Sequence, residues 1–175
     1  MADVSVRPAR SQDAEFVARV QQSTWRTAYA GLLPAEVLAT PLEQLAAVWL
    51  NAVEAPPSPR HRLLVALEQG ELVGFATLAP TDDDDLDGAT TAELTALLVE
   101  PRCGRRGHAS RLLAAAVDGW QADGTTTAVL WAWERDAATR SFLTGAGWAL
   151  DGLARGLDTG PRLERQVRLH ADVSA

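Results

Sequence analysis

The stretch Leu97-Leu98-Val99-Glu100-Pro101-Arg102-Cys103-Gly104-Arg105-Arg106-Gly107-His108-Ala109-Ser110-Arg111-Leu112-Leu113 constrains the fold more than any other part of the chain. Upstream of Pro101, the run from Glu93 to Val99 is short and apolar, as a buried strand is. Downstream, Leu112, Leu113, Ala116, Val117 and Trp120 recur at the spacing of one helix face, and Gly124 stops the pattern. Between strand and helix lies only a Gly- and Arg-rich turn. A strand feeding directly into an amphipathic helix places the chain among α/β folds.

That junction also suggests chemistry. The first N–H groups of a helix have no internal partner, and the helix dipole adds partial positive charge there. Glycine lets an anion approach the backbone, so the turn has the makings of a phosphate site. Arg105 and Arg106 can add charge-assisted contacts, while Gly107 and Ala109 are the positions that must stay small. The loop is not a Walker P-loop, because all 16 basic residues are Arg and the chain has no Lys. It is not G-x-G-x-x-G either, and Gly-His-Ala-Ser-Arg is no nucleophile elbow. A plain βα turn with solvated arginines is the alternative reading.

The rest of the 175 residues reads as a single domain, 1–175. Val4 and Val6 before Pro8 make a short strand, and residues 11 to about 28 a helix opened by Ser11. A second helix runs from Pro34 to about Val53, with Pro41 a point of breakage. Residues 61–80 form a hairpin about Gln69-Gly70. Thr126–Trp133 is a buried strand, Asp136–Thr144 a short helix, and Trp148–Leu153 and Leu163–Leu169 are strands. The expected order is β-α-α-β-β-β-α-β-α-β-β. The formal net charge of −7 disfavours a phosphate backbone as partner, so nucleic acid is not expected. Cys103, the only Cys, excludes an internal disulfide and a Cys-rich metal site, and it fits a reducing cytoplasm. No apolar run is long enough for a membrane span. A soluble cytoplasmic domain without metal is the expectation.

The loop segment resembles the acetyl-CoA loop of the GNAT superfamily of N-acetyltransferases. Leu97-x-Val99-x-Pro101, Gly107 and Ala109 match its pattern, while Gly104 stands where the family has Arg or Gln. Trp131-Ala-Trp133 through Asp136, Phe142, Leu143 and Gly147-Trp148 is similar to the second strand–helix of the family, and Trp25 to Pro34 resembles a segment near its start. The resemblance implies a GNAT-like fold: a central twisted mixed sheet of about seven strands flanked by about four helices. It implies that acetyl-CoA is the co-substrate. Its pantetheine arm would pair with the backbone of Leu97, Leu98 and Val99, and its pyrophosphate would rest on Gly104, Arg105, Arg106, Gly107, His108, Ala109 and Ser110. Asp136 takes the position of a family Asn near the cofactor. The family Tyr that protonates the departing thiolate is here Leu143.

Several side chains then become candidates. Glu93 is the candidate general base for the attacking amine, with His108 and His61 as alternatives. Tyr29, the only Tyr, is a candidate to replace the missing acid. With Trp25 it is also a candidate for acceptor binding. Most of the six tryptophans are expected in the core. The run Asp82–Asp85 with Asp87 is a solvated loop or an attractor of cationic amines. The expected function is acetyl transfer to a primary amine of a small molecule or peptide, by direct attack in a ternary complex. The alternative is a catalytically degenerate acyl-CoA-binding sensor. The edges of the terminal strands permit a homodimer.

Overall fold

The computed structural model describes residues 3–159 and 162–175. Their strands are β1 (Val4–Pro8), β2 (Arg62–Glu68), β3 (Glu71–Pro80), β4 (Thr91–Val99), β5 (Thr127–Trp133), β6 (Ala149–Asp158) and β7 (Leu163–Asp172). Their helices are α1 (Ala14–Ala28), α2 (Ala35–Leu38), α3 (Leu42–Glu54), α4 (His108–Ala122) and α5 (Ala137–Gly145). The strands form one sheet in the order β1-β2-β3-β4-β5-β7-β6, antiparallel except for the β4–β5 pair. This is the mixed seven-stranded architecture expected. It carries five α-helices where four were expected, because the segment after Pro34 divides at Pro41. Proline there has no N–H to continue a helix, yet it caps the next one, with Leu45 N–H bonding the Pro41 carbonyl at 3.2 Å.

Period-two alternation along the central strands sorts their side chains to two faces. On one face Leu64, Ala66, Ala76, Leu78, Leu94, Leu130 and Leu169 pack on the stripe of α4 and on Leu143 of α5. On the other, Leu63, Val65, Phe75 and Leu98 pack on Val17 and Val20 of α1. The first turn of α1 is anchored by Asp13, which accepts from Arg10 N–H at 2.7 Å and from both ends of the Arg7 guanidinium at 2.7 and 3.0 Å. Gln69 and Gly70, both at positive φ (53° and 84°), form the two-residue turn between β2 and β3. β6 runs on to Asp158, five residues past the expected end at Leu153. Its register against β7 shifts between Leu150 and Ala154, a bulge that accommodates Gly152 at φ +90°.

Candidate active site

β4 and β5 pair only at Thr91–Thr127, Ala92–Ala128 and Glu93–Val129, and from there the two strands diverge. β4 continues to Val99 with β3 on one side and, among the described residues, no strand on the other, so its second edge opens into a cleft. The divergence coincides with a bulge. Thr77 pairs with Ala96 and Leu78 with Leu94, leaving Thr95 as the extra residue. Such an insertion bends a strand and increases its twist. Sequence pattern alone gives no sign of it.

Val99 leads through the 3₁₀ turn Pro101–Cys103 to the loop, where Arg105 (φ 59°) and Gly107 (φ 82°) take left-handed conformations. Gly107 is the N-cap of α4, and the first helical bond runs from Arg111 N–H to its carbonyl at 3.1 Å. The N–H groups of His108, Ala109 and Ser110 therefore have no partner within the helix. They open on a cavity of about 480 Å3 lined by Leu97, Val99, Gly104, Gly107, Ala138 and Phe142 among others. Arg111 Nη1 donates to the Arg106 carbonyl at 3.0 Å and steadies the turn. Arg106 reaches Glu68 at 2.9 Å, and Arg105 is exposed. His108 also lines this cavity. It is buried, neither of its ring nitrogens has a hydrogen-bond partner among the described residues, and Nε2 lies 3.7 Å from Glu68 Oε2.

Leu97 and Thr139 are shared with a second cavity of about 340 Å3 that lies over the fork. Four of the six tryptophans line it: Trp25 from α1, Trp49 from α3, and Trp131 and Trp133 from β5. Only Trp120 and Trp148 lie in the core, so the expectation of mostly core indoles is corrected. Trp49 is fixed by a hydrogen bond to Gln21 Oε1 at 2.7 Å and by an edge contact on Phe75 with centroids 5.0 Å apart.

At the junction of the two cavities, Tyr29 donates to Asp136 Oδ2 at 3.0 Å. Asp136 caps α5 by accepting from Thr139 N–H at 3.0 Å and from the Thr139 hydroxyl at 2.7 Å. Two candidates 107 residues apart in sequence are thus in contact. Burial first, then the Asp136 charge, pushes the Tyr29 phenol well above its ordinary value. Leu143 points into the core, fully buried, and Phe142 is the side chain of that helix turn that faces the loop cavity.

Glu93 stands at the last β4–β5 pair, half-buried, opposite Ala79 of β3. Burial and the nearby charges of Asp83 and Asp82 raise its carboxyl above the ordinary value, against the opposing pull of Arg155 and Arg168. Among the described residues it has no hydrogen-bond or ion-pair partner. His61 lies away from the fork, with Nδ1 2.8 Å from Ser58 Oγ.

The largest departure from expectation is Arg168 of β7, a buried residue that sequence reasoning passed over. It bonds Asp83 at 2.9 Å, Asp85 at 2.6 Å and Asp151 at 2.6 Å, and lies 5.5 Å from the Trp131 ring centroid. Trp131 Nε1 donates to Asp83 at 3.0 Å, and Arg155 stacks over the indole at 4.4 Å. The aspartate loop is therefore not wholly solvated: two of its carboxylates tie it to the sheet.

The sequence matches the acetyltransferase (GNAT) family over residues 20–148. The chain belongs to the GNAT acetyltransferase family. Its fold is similar to that of the PaiA N-acetyltransferase from Thermoplasma acidophilum in complex with coenzyme A, at 18% identity and a TM-score of 0.76, covering 97% of this chain and 99% of that one. YncA from Salmonella typhimurium, solved with its cofactor acetyl-CoA, aligns at 16% identity and a TM-score of 0.74, covering 99% and 95%. An N-acetyltransferase from Staphylococcus aureus aligns at 15% identity and a TM-score of 0.78, covering 98% and 99%. No curated protein sequence matches. In this GNAT chain the residues present fit a CoA thioester. The free edge of β4 offers backbone groups to an amide-bearing arm, and the Gly107 turn offers unpartnered N–H groups to a pyrophosphate.

Proposed function

We propose that the protein transfers an acetyl group from acetyl-CoA to a primary amine of a small molecule or peptide, by direct attack within a ternary complex. The observation that carries this reading is the fork at Glu93, from which the open edge of β4 leads straight into the Gly107 cradle. Leu97, Leu98 and Val99 would hold the pantetheine arm, and residues 104–110 the pyrophosphate. Bound acetyl-CoA supplies the electrophile, its thioester carbonyl carbon. The amine nitrogen forms the new C–N bond while the C–S bond breaks, and the amine must lose a proton.

Glu93 is the residue we assign to accept that proton, directly or through a water. A carboxyl raised by burial and by neighbouring aspartates is a stronger base than an exposed one. Tyr29 we assign a hydrogen-bonding role. Its pKa is pushed upward, so it keeps its proton, and that proton is directed at Asp136. The departing thiolate makes little demand on an acid, since a thiol ionises near ~8.5. Trp25 would flank the acceptor. A second reading, an acyl-CoA-binding sensor without turnover, is favoured by one observation: Leu143 is packed into the core and offers no acid at that position. Following thiol release from acetyl-CoA over an amine panel, alongside the rise in melting temperature with CoA, tests both. Release above the blank with any amine supports transfer. Strong stabilisation by CoA with no release on any amine leaves the sensor.

A further inference from the structure

The aromatic cavity does not end at the fork. It shares Trp49, Thr77 and Thr95 with a further recess of about 220 Å3 between α3, the linker that follows it and the β3–β4 pair. Past those shared residues the walls are Ala52, Pro57, Leu63 and Ala79, with His61 and Arg62 at the edge. Both basic groups are engaged elsewhere. The Arg62 guanidinium bonds Asp123 at 2.7 Å, the Pro59 carbonyl at 3.1 Å and the Gly119 carbonyl at 3.2 Å, and His61 meets Ser58. The Thr77 and Thr95 hydroxyls at the junction satisfy each other at 2.5 Å. The recess therefore offers apolar surface and no free charge.

Its sheet wall leads back to the reaction centre, because Ala79 pairs with Glu93 across β3 and β4. Asp82 and Asp83 act electrostatically on that same carboxylate, against the opposing pull of Arg155 and Arg168, so a carboxylate of raised proton affinity stands beside the apolar slot. We propose that this recess holds the apolar arm of the acceptor, whose class is an alkyl- or arylalkyl-amine without a carboxylate: ammonium beside Glu93, arm between α3 and the β3–β4 pair. The proposal rests on the acetyl-transfer reading above and names the substrate class for it.

Other amines fit less well on physical grounds. The second ammonium of a polyamine would have to lose its water among Ala52, Pro57 and Leu63 with no counter-charge. An amino acid would bring its carboxylate against Asp82, Asp83 and Glu93. Arg155, which has no carboxylate partner among the described residues, lies on the edge strand β6, three strands from β4, and stacks on Trp131. A carboxylate reaching it would point its side chain away from Ala52.

The test follows thiol release from acetyl-CoA with ethylamine, n-hexylamine, phenethylamine, phenylalanine and spermidine. We expect kcat/KM to rise about tenfold or more from ethylamine to phenethylamine, with phenylalanine lower than phenethylamine by a similar factor. Ala52→Phe, which fills the recess from α3, should remove the advantage of the longer arm. A flat series, or a preference for phenylalanine or spermidine, overturns the subsite and leaves acetyl transfer standing. If no amine releases thiol, acetyl transfer itself fails. The recess is then read separately, by quenching of tryptophan fluorescence when phenethylamine is added to the CoA-bound protein. Quenching that Ala52→Phe abolishes supports it, and no quenching overturns it.

Discussion

Replacing Arg168 by Met keeps the length of the side chain and deletes the charge that three aspartates share. The stem would still pack near Trp131, so the change isolates electrostatics from volume. Asp83 and Asp151 are largely covered, with side chains 14% and 18% exposed, and both would lose a charged partner. Breaking a buried pair by removing one member costs about 3–5 kcal/mol, and because these carboxylates keep some water, the low end applies: about 3 kcal/mol. For a chain of this size that corresponds to a fall in melting temperature of roughly 6–12 °C. Calorimetry at neutral pH reads it directly. The pH dependence gives a second check. Asp85 has its carboxyl held below the ordinary value chiefly by the Arg168 hydrogen bond. A depressed folded-state pKa contributes stability above the unfolded value, and that contribution is lost as pH falls through the folded one. In Arg168→Met that contribution is gone, so stability should fall less steeply on acidification than in the parent. The acceptor KM should rise as well, since Asp83 holds the Trp131 indole. An Arg168→Met protein melting within a degree or two of the parent, with the same acid slope, would refute the idea that this cluster pins the loop.

Gly107→Glu should abolish CoA binding measured by calorimetry, by placing bulk and negative charge in the cradle. Gly107→Ala tests strain alone: a side chain at φ +82° costs about 1–2 kcal/mol, seen in denaturant unfolding. The new Cβ would meet only the guanidinium of Arg111, at 3.0 Å, and would press on its bond to the Arg106 carbonyl. Glu93→Gln should lower kcat/KM about 10²-fold or more and remove its acid limb. In the parent that limb lies above the ordinary carboxylate range, because a base of raised pKa becomes protonated, and inactive, at higher pH. An unchanged profile rejects Glu93 as the base. Tyr29→Phe should cost less than tenfold in kcat, as the loss of a hydrogen bond does, and a loss beyond a hundredfold would show that the phenol delivers the proton.

What the sequence made legible was what local chemistry writes into neighbouring residues. Gln69-Gly70 announces its turn because few pairs tolerate two positive φ values. Gly107 marks a helix start because the chain must turn sharply between Val99 and Leu112. Unpartnered N–H groups at such a start belong to adjacent residues, so the turn proposed as a phosphate cradle could be located from sequence. Arg168 could not. Its partners Asp83 and Asp85 lie 85 and 83 residues away, and an Arg in a strand carries no mark of whether it faces water or three carboxylates. The aspartate run was read by its composition, as charge in solvent or charge for a ligand, when two of its members serve the fold. Thr95 as a bulge was invisible for a similar reason, since register belongs to two strands at once. The tryptophans were misassigned because an indole at apolar spacing suits a core and a cavity wall equally.

The fork has a consequence for how the protein behaves when no ligand is in it. From Leu94 to Val99 a central strand has one side laced to β3 and the other open, so adjacent amides on one strand face two solvent regimes. Those directed at β3 should resist deuterium exchange nearly as long as the fold survives, and those directed at the gap should exchange without any unfolding. Exposed edges of this kind normally invite other chains to add a strand. Here the edge lies inside the sheet, and the Tyr29–Asp136 contact joins α1 to the start of α5 beside it. The protein can keep a row of unsatisfied backbone groups ready without offering them to a neighbouring molecule.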